Sequence, residues 1–185
     1  MGKTIFVTGG CRSGKSSYAQ QRAEGIGGRL IYVATCPVTD PEIVQRIARH
    51  QEERRGNGWE TREEQTDLAG ILSCTEEAAV LVDCLTLWIN NVMYEAESLG
   101  RLIDEDDIRR MCDEVIDTCR QREGTTVLVT NEVGMGIVPE NAATRRYRDL
   151  VGRCNQIVAA AADEVVLVTC GIPHTLKGKS DRVAS

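Results

Sequence analysis

The stretch Gly9-Gly10-Cys11-Arg12-Ser13-Gly14-Lys15-Ser16 fits the pattern G-x-x-x-x-G-K-[ST] and lies between the apolar run Thr4-Ile5-Phe6-Val7-Thr8 and a helix-forming stretch over about 15–24. That context limits the fold, because a strand must deliver the turn and a helix must leave it. Glycines let successive backbone N–H groups turn inward around an anion, and the helix N-terminus adds its partial positive charge. Lys15 is then within reach of terminal phosphate oxygens, and Ser16 is placed to ligate magnesium. The other reading, a glycine-rich turn without a ligand, leaves the full eight-residue match in this context unexplained.

Four further runs rich in β-branched residues follow: Leu30–Ala34, Ala79–Val82, Thr126–Thr130 and Val165–Val168. They are continuously apolar, as parallel strands covered on both faces are. Helix-like stretches lie at about 15–24, 41–55, 66–77, 85–96, 104–122 and 141–162. Alternating strands and helices predict an α/β fold with a mostly parallel sheet and helices on both faces. Asp40-Pro41-Glu42 reads as a helix start, and Gly124 follows a helix whose last turn carries Arg120 and Arg122. Residues 53–58 read as a loop and 177–181 as a frayed tail.

A chain of 185 residues buries roughly 70% of its unfolded surface, so one domain over residues 1–185 is expected. Aromatic residues are only 4%, which leaves Val, Ile, Leu and Ala to build the interior. The net charge of -6 argues against a general nucleic-acid or anionic-membrane binder. No run of 18 apolar residues and no export signal is present, which predicts a cytoplasmic protein without membrane insertion. The cysteines at 11, 36, 74, 84, 112, 119, 154 and 170 have no C-x-x-C or zinc-finger spacing, so they read as reduced, structural thiols, with Cys11 in the glycine loop as the exception to watch.

Asp83 follows the apolar run Ala79–Val82, where a carboxylate on the magnesium side of a phosphate site is expected; the competing role is a helix cap. No N-K-x-D and no H-R-D occur, which argues against a switch GTPase or a protein kinase and leaves a small-molecule phosphotransferase. His50 shares one helical face with Arg46 and Arg54. Guanidiniums there would neutralise a polyphosphate, and a neutral imidazole is a competent nucleophile toward an α-phosphorus. On these residues alone, a solvated amphipathic helix that happens to carry a histidine is the simpler account.

VTGGCRSGKS, YVAT, RIARHQEER, GWETREE, LVDCLT and the long block from Thr130 to Gly171, with the following Ile-Pro, together resemble the bifunctional adenosylcobinamide kinase / adenosylcobinamide-phosphate guanylyltransferase family of cobalamin biosynthesis, over about residues 4–176. The resemblance implies phosphorylation of adenosylcobinamide by ATP or GTP, then transfer of GMP from GTP to adenosylcobinamide phosphate, with pyrophosphate released. It implies His50 as the guanylylated nucleophile and Lys15 as the other catalytic group. It implies nucleotide contacts at Gly9, Gly10, Cys11, Arg12, Ser13, Gly14, Lys15, Ser16, Ala34, Thr35, Cys36, Gln51, Glu52, Glu53, Arg54, Glu63 and Asp83; the motif reading itself gives Ser16 and Asp83 as the magnesium side. A RecA-like phosphate-loop fold and a homotrimer are implied as well. Some relatives carry a second histidine before the nucleophile, where this chain has Arg49. Glu132 receives no role, and His174 reads as a surface residue. Two alternatives stand beside this reading: a kinase of another small metabolite that leaves His50 idle, and a nucleotide-binding regulatory protein with no corrinoid turnover.

Overall fold

A computed structural model describes residues 1–37, 56–75 and 78–178. Its sheet comprises β1 (Lys3–Thr8), β2 (Arg29–Ala34), β3 (Trp59–Glu63), β4 (Ala78–Asp83), β5 (Thr125–Val129), β6 (Glu164–Thr169) and β7 (Ile172–Lys177), in the order β3-β2-β4-β5-β1-β6-β7. Pairings from β3 through β6 are parallel, and β7 returns antiparallel on β6. The described helices are α1 (Lys15–Glu24), α2 (Leu68–Ser73), α3 (Leu85–Ser98), α4 (Glu105–Gln121) and α5 (Ala142–Ala161).

The continuous apolar runs have the cause that the sequence suggests. Ile5, Val7, Leu81, Val127, Val129, Val166 and Val168 face α1 through Ala19 and Ala23. Their strand neighbours Phe6, Val80, Val82, Leu128 and Val165 face the layer of α2 to α5, against Leu72, Trp88, Ile108, Cys112 and Val158. Successive side chains point to opposite faces, so a strand buried on both sides has no polar alternation.

Helix ends follow local chemistry. Asp104 and Asp107 form a reciprocal capping box at the start of α4, and Asn141 Oδ1 accepts from the Thr144 N–H at 3.0 Å to open α5. The expected helix over 66–77 is shorter: Asp67 caps it by accepting from the Gly70 N–H at 2.8 Å, and it ends at Ser73. The expected helix over 41–55, with its Asp40-Pro41 start, lies outside the described residues.

Two strands carry no apolar-run signal. β3 pairs on one side only, and Arg29 and Arg62 both bind Glu60 along it. β7 is exposed along its length, so the stretch through His174, expected as plain surface, is an edge strand, and Lys177, expected in the frayed tail, is its last residue.

Candidate functional site

The site is assembled at the carboxyl ends of the strands. Register places Glu63, Ala34, Asp83, Val129 and Val7 in one row across β3, β2, β4, β5 and β1. The phosphate loop leaves β1 two residues past that row. Asp83 thus stands two strand spacings from it, about 10 Å.

The loop is tied on three sides. Glu132 N–H donates to Gly9 O at 3.1 Å, Gly171 N–H donates to Ser13 O at 2.8 Å, and Ser13 N–H donates to Gly10 O at 3.3 Å. A Cβ on Gly9 would lie 2.5 Å from Val168 O, so only glycine lets β6 approach there. Gly14 holds a left-handed φ of 92° immediately before α1, and a Cβ on it would meet Gly171 Cα at 3.1 Å. Lys15 is buried at the first position of α1, and its ammonium donates to Gly10 O at 3.1 Å, which folds the positive charge back into the loop. Ser16 follows, half-buried. The hydroxyls of Thr8 and Ser13 are buried without a hydrogen-bond partner among the described residues, and such groups are costly unless a ligand or water engages them. Cys11 and Arg12 are exposed on the rim.

Asp83 ends β4 half-buried, and Tyr32 Oη donates to its Oδ2 at 3.2 Å. Thr35, fully buried, holds the next peptide from both sides: its hydroxyl donates to Cys84 O at 2.9 Å and accepts from Cys84 N–H at 2.7 Å. Asn91 on α3 donates to Thr35 O at 2.7 Å and to Gln65 O at 3.1 Å, which fastens the exits of β2 and β3 together. Burial, reinforced by the Asp83 charge, pushes the Cys84 thiol up to about 11. It stays protonated near neutrality, paired with the Thr86 hydroxyl at 2.9 Å.

Among the expected site residues, Gly9 to Ser16, Ala34, Thr35, Cys36, Glu63 and Asp83 therefore gather along one edge of the sheet, with Glu63 exposed at its far end. His50, Gln51, Glu52, Glu53 and Arg54 lie outside the described residues. The roles of Tyr32 and Asn91 were not legible: one sits inside an apolar run and the other inside a helix, and only the parallel register brings them to Asp83 and Thr35. The N–H of Glu132 at the loop wall likewise has no sequence signal. Two clefts of about 590 and 430 Å³, which share Ile116, Arg120 and Ala161, lie toward the opposite end of the sheet and are no part of this site.

The family described as cobinamide kinase / cobinamide phosphate guanyltransferase matches residues 5–176. A bifunctional adenosylcobalamin biosynthesis protein CobU of Salmonella typhimurium is 39% identical, with 94% of this chain and 99% of that protein covered. The protein of the same name from Escherichia coli K12 is 37% identical over the same shares. The bifunctional adenosylcobalamin biosynthesis protein CobP of Pseudomonas aeruginosa is 37% identical, covering 94% of this chain and 97% of its own.

Proposed function

The chain belongs to the cobinamide kinase / cobinamide phosphate guanyltransferase family, and from that premise we propose that it works both reactions from the strand-end site around Lys15, with His50 as the covalent nucleophile of the second. The observation that carries the reading is the buried Lys15, whose ammonium folds back onto Gly10 O of the glycine loop at the start of α1, with Asp83 two strands away across β5 at the same strand ends. Phosphoryl transfer asks a protein mainly for positioning and charge neutralisation, and this arrangement supplies both.

In the kinase step the cobinamide hydroxyl oxygen attacks the γ-phosphorus of ATP or GTP. The bond to the β–γ bridging oxygen breaks, the nucleoside diphosphate leaves and the hydroxyl proton is released to water. Lys15 neutralises charge on the β and γ oxygens, and the loop amides hold them in line. Ser16 and Asp83 offer a hydroxyl and a carboxylate, hard oxygen donors that suit magnesium shared with phosphates and water, and no cluster of three or more His, Cys, Asp or Glu able to hold a metal by itself occurs among the described residues. Bound there, magnesium would neutralise phosphate charge. In the second step an imidazole nitrogen of His50 attacks the α-phosphorus of GTP, a P–N bond forms and pyrophosphate leaves. A phosphate oxygen of cobinamide phosphate then takes the GMP and frees the histidine.

Contacts from Ala34, Cys36, Gln51 to Arg54 and Glu63 to the nucleotide belong to the same proposal, as do assembly as a homotrimer and a cytoplasmic location. No helix among the described residues is long and apolar enough to cross a membrane.

The test is incubation with magnesium and GTP labelled at the α-phosphate, without corrinoid, for wild type and His50→Ala. Acid-labile, base-stable label on wild type and none on the variant is expected. Wild type that binds GTP yet takes no label would reduce the reading to a kinase.

A further inference from the structure

Residues 131–141 are fastened at both ends yet turn aliphatic side chains to solvent. At the start, Glu132 N–H bonds Gly9 O at 3.1 Å, Asn131 Nδ2 donates to Thr86 Oγ1 at 2.9 Å, and Asn155 Nδ2 donates to Asn131 O at 3.2 Å. At the end, the Arg145 guanidinium donates to Pro139 O at 2.9 Å and Glu140 O at 2.6 Å. Val133, half-buried between them, packs against the core. Even so, Met135, Ile137 and Val138 are 84%, 96% and 60% exposed, three large apolar side chains within four residues beside a polar phosphate cradle. An ordered apolar patch of this kind marks a binding surface.

We propose that this loop is the docking surface for the corrin body of the acceptor. The inference rests on the function proposed above. Nucleoside triphosphates are polyanions and offer little to Met135 or Ile137, whereas the acceptor of both reactions brings a macrocycle whose rim carries methyl groups between its carboxamide arms. The hydroxyl to be phosphorylated must meet the γ-phosphate at the loop that Glu132 touches, so the macrocycle has to rest next to it. Charge agrees as well: a cobalt(III) corrin with one adenosyl ligand is a net cation, and residues 131–141 carry the carboxylates of Glu132 and Glu140 with no basic residue. The nearby positive group, Arg145, is engaged by backbone carbonyls of the same loop. The chain's one Phe is buried in β1 and Trp88 in α3, so neither can face a macrocycle.

The test uses the colour of the corrinoid. Binding of adenosylcobinamide to the full chain is measured by equilibrium dialysis with a non-hydrolysable GTP analogue present, for wild type, for Met135→Gln with Ile137→Asn, and for Met135→Leu with Ile137→Leu. The polar pair should raise the dissociation constant on the order of tenfold or more, since two buried aliphatic contacts are lost, while the leucine pair stays near wild type. GTP affinity and the mass in solution should not change in either. Equal corrinoid affinity in wild type and the polar pair would overturn the docking loop alone. A lowered mass in the polar pair would overturn it too, by making the patch a contact between copies of this chain. Wild type that takes up no adenosylcobinamide would overturn this inference together with the function beneath it.

Discussion

Lys15 and Gly14 have different structural places in the proposed site. The Lys15 ammonium sits against Gly10 O, so Lys15→Met removes the charge proposed to meet the phosphates and leaves the loop its amide bonds. Loss of one such charge-stabilising group costs about 10²–10³ in kcat. The expected result is that fall in the kinase step, with a circular-dichroism melt close to wild type; a fall under threefold would mean that the ammonium is not at the reacting phosphates. Gly14→Ala acts through the backbone, forcing a side chain into a φ of 92° with Gly171 Cα at 3.1 Å. We expect a loss of about 1–2 kcal/mol in urea unfolding and a raised KM for GTP, since the first turn of α1 must shift. Lys15, Ser16 and Gly14 were legible because the chemistry fixes their spacing along the chain. Tyr32 acts through a contact to Asp83 made only when β2 pairs with β4, and that pairing has no mark in local sequence.

At the scale of elements, the site rests on a scaffold that Arg122 closes at the amino-terminal ends of the central strands β4 and β5. It ends α4, 5% exposed, with its guanidinium donating to Thr126 Oγ1 at 2.9 Å, to Ala78 O at 2.8 Å and to the Thr75 carbonyl. Burial lowers its pKa, and no carboxylate is among these partners. Arg122→Met keeps the volume but leaves buried carbonyls without donors, each worth about 1–3 kcal/mol. A drop in the unfolding midpoint is expected, with KM for GTP unchanged at a temperature where the variant is folded; altered KM would show that the two ends of the strands are coupled. The sequence read Arg122 as a favourable charge in a last helical turn, which located the helix end but not the guanidinium's burial. Strands β1, β2, β4, β5 and β6 were legible for the same reason that they are central: both faces are covered. β3 and β7 escaped because edge strands need only one apolar side or none, and their pairing is set by the strand beside them.

At the scale of the whole molecule, two titratable groups with raised pKa, Cys84 and Tyr147, meet where the loops after β4 and β5 reach α5. Cys84 Sγ and the Thr86 hydroxyl are paired, and Tyr147 Oη donates to Thr86 O at 3.2 Å. Burial raises both: Cys84 from 9.0 to about 11, and Tyr147 from 10.0 to about 12, with the nearby Cys84 a second cause. The sign follows from proton counts. Between pH 9 and 11 the folded chain keeps a thiol proton that the unfolded chain has lost, so stability falls as pH rises through that window and is fully present below it. The Cys84 shift corresponds to on the order of 2–3 kcal/mol. Wild type should therefore hold a flat unfolding free energy up to about pH 9 and lose stability steeply by pH 11, beyond the loss shared with other alkaline titrations. Cys84→Ala removes this thiol alone, so the gap between the proteins should narrow from pH 8 to pH 11 as measured by urea unfolding. A gap that stays constant across that range would mean that the thiol ionises in the folded chain as readily as in the unfolded one. Because this cluster also carries Asn131 through Thr86, alkaline loosening should reach the phosphate-loop wall before the central strands, read as faster amide exchange at residues 131–134 than at 80–82.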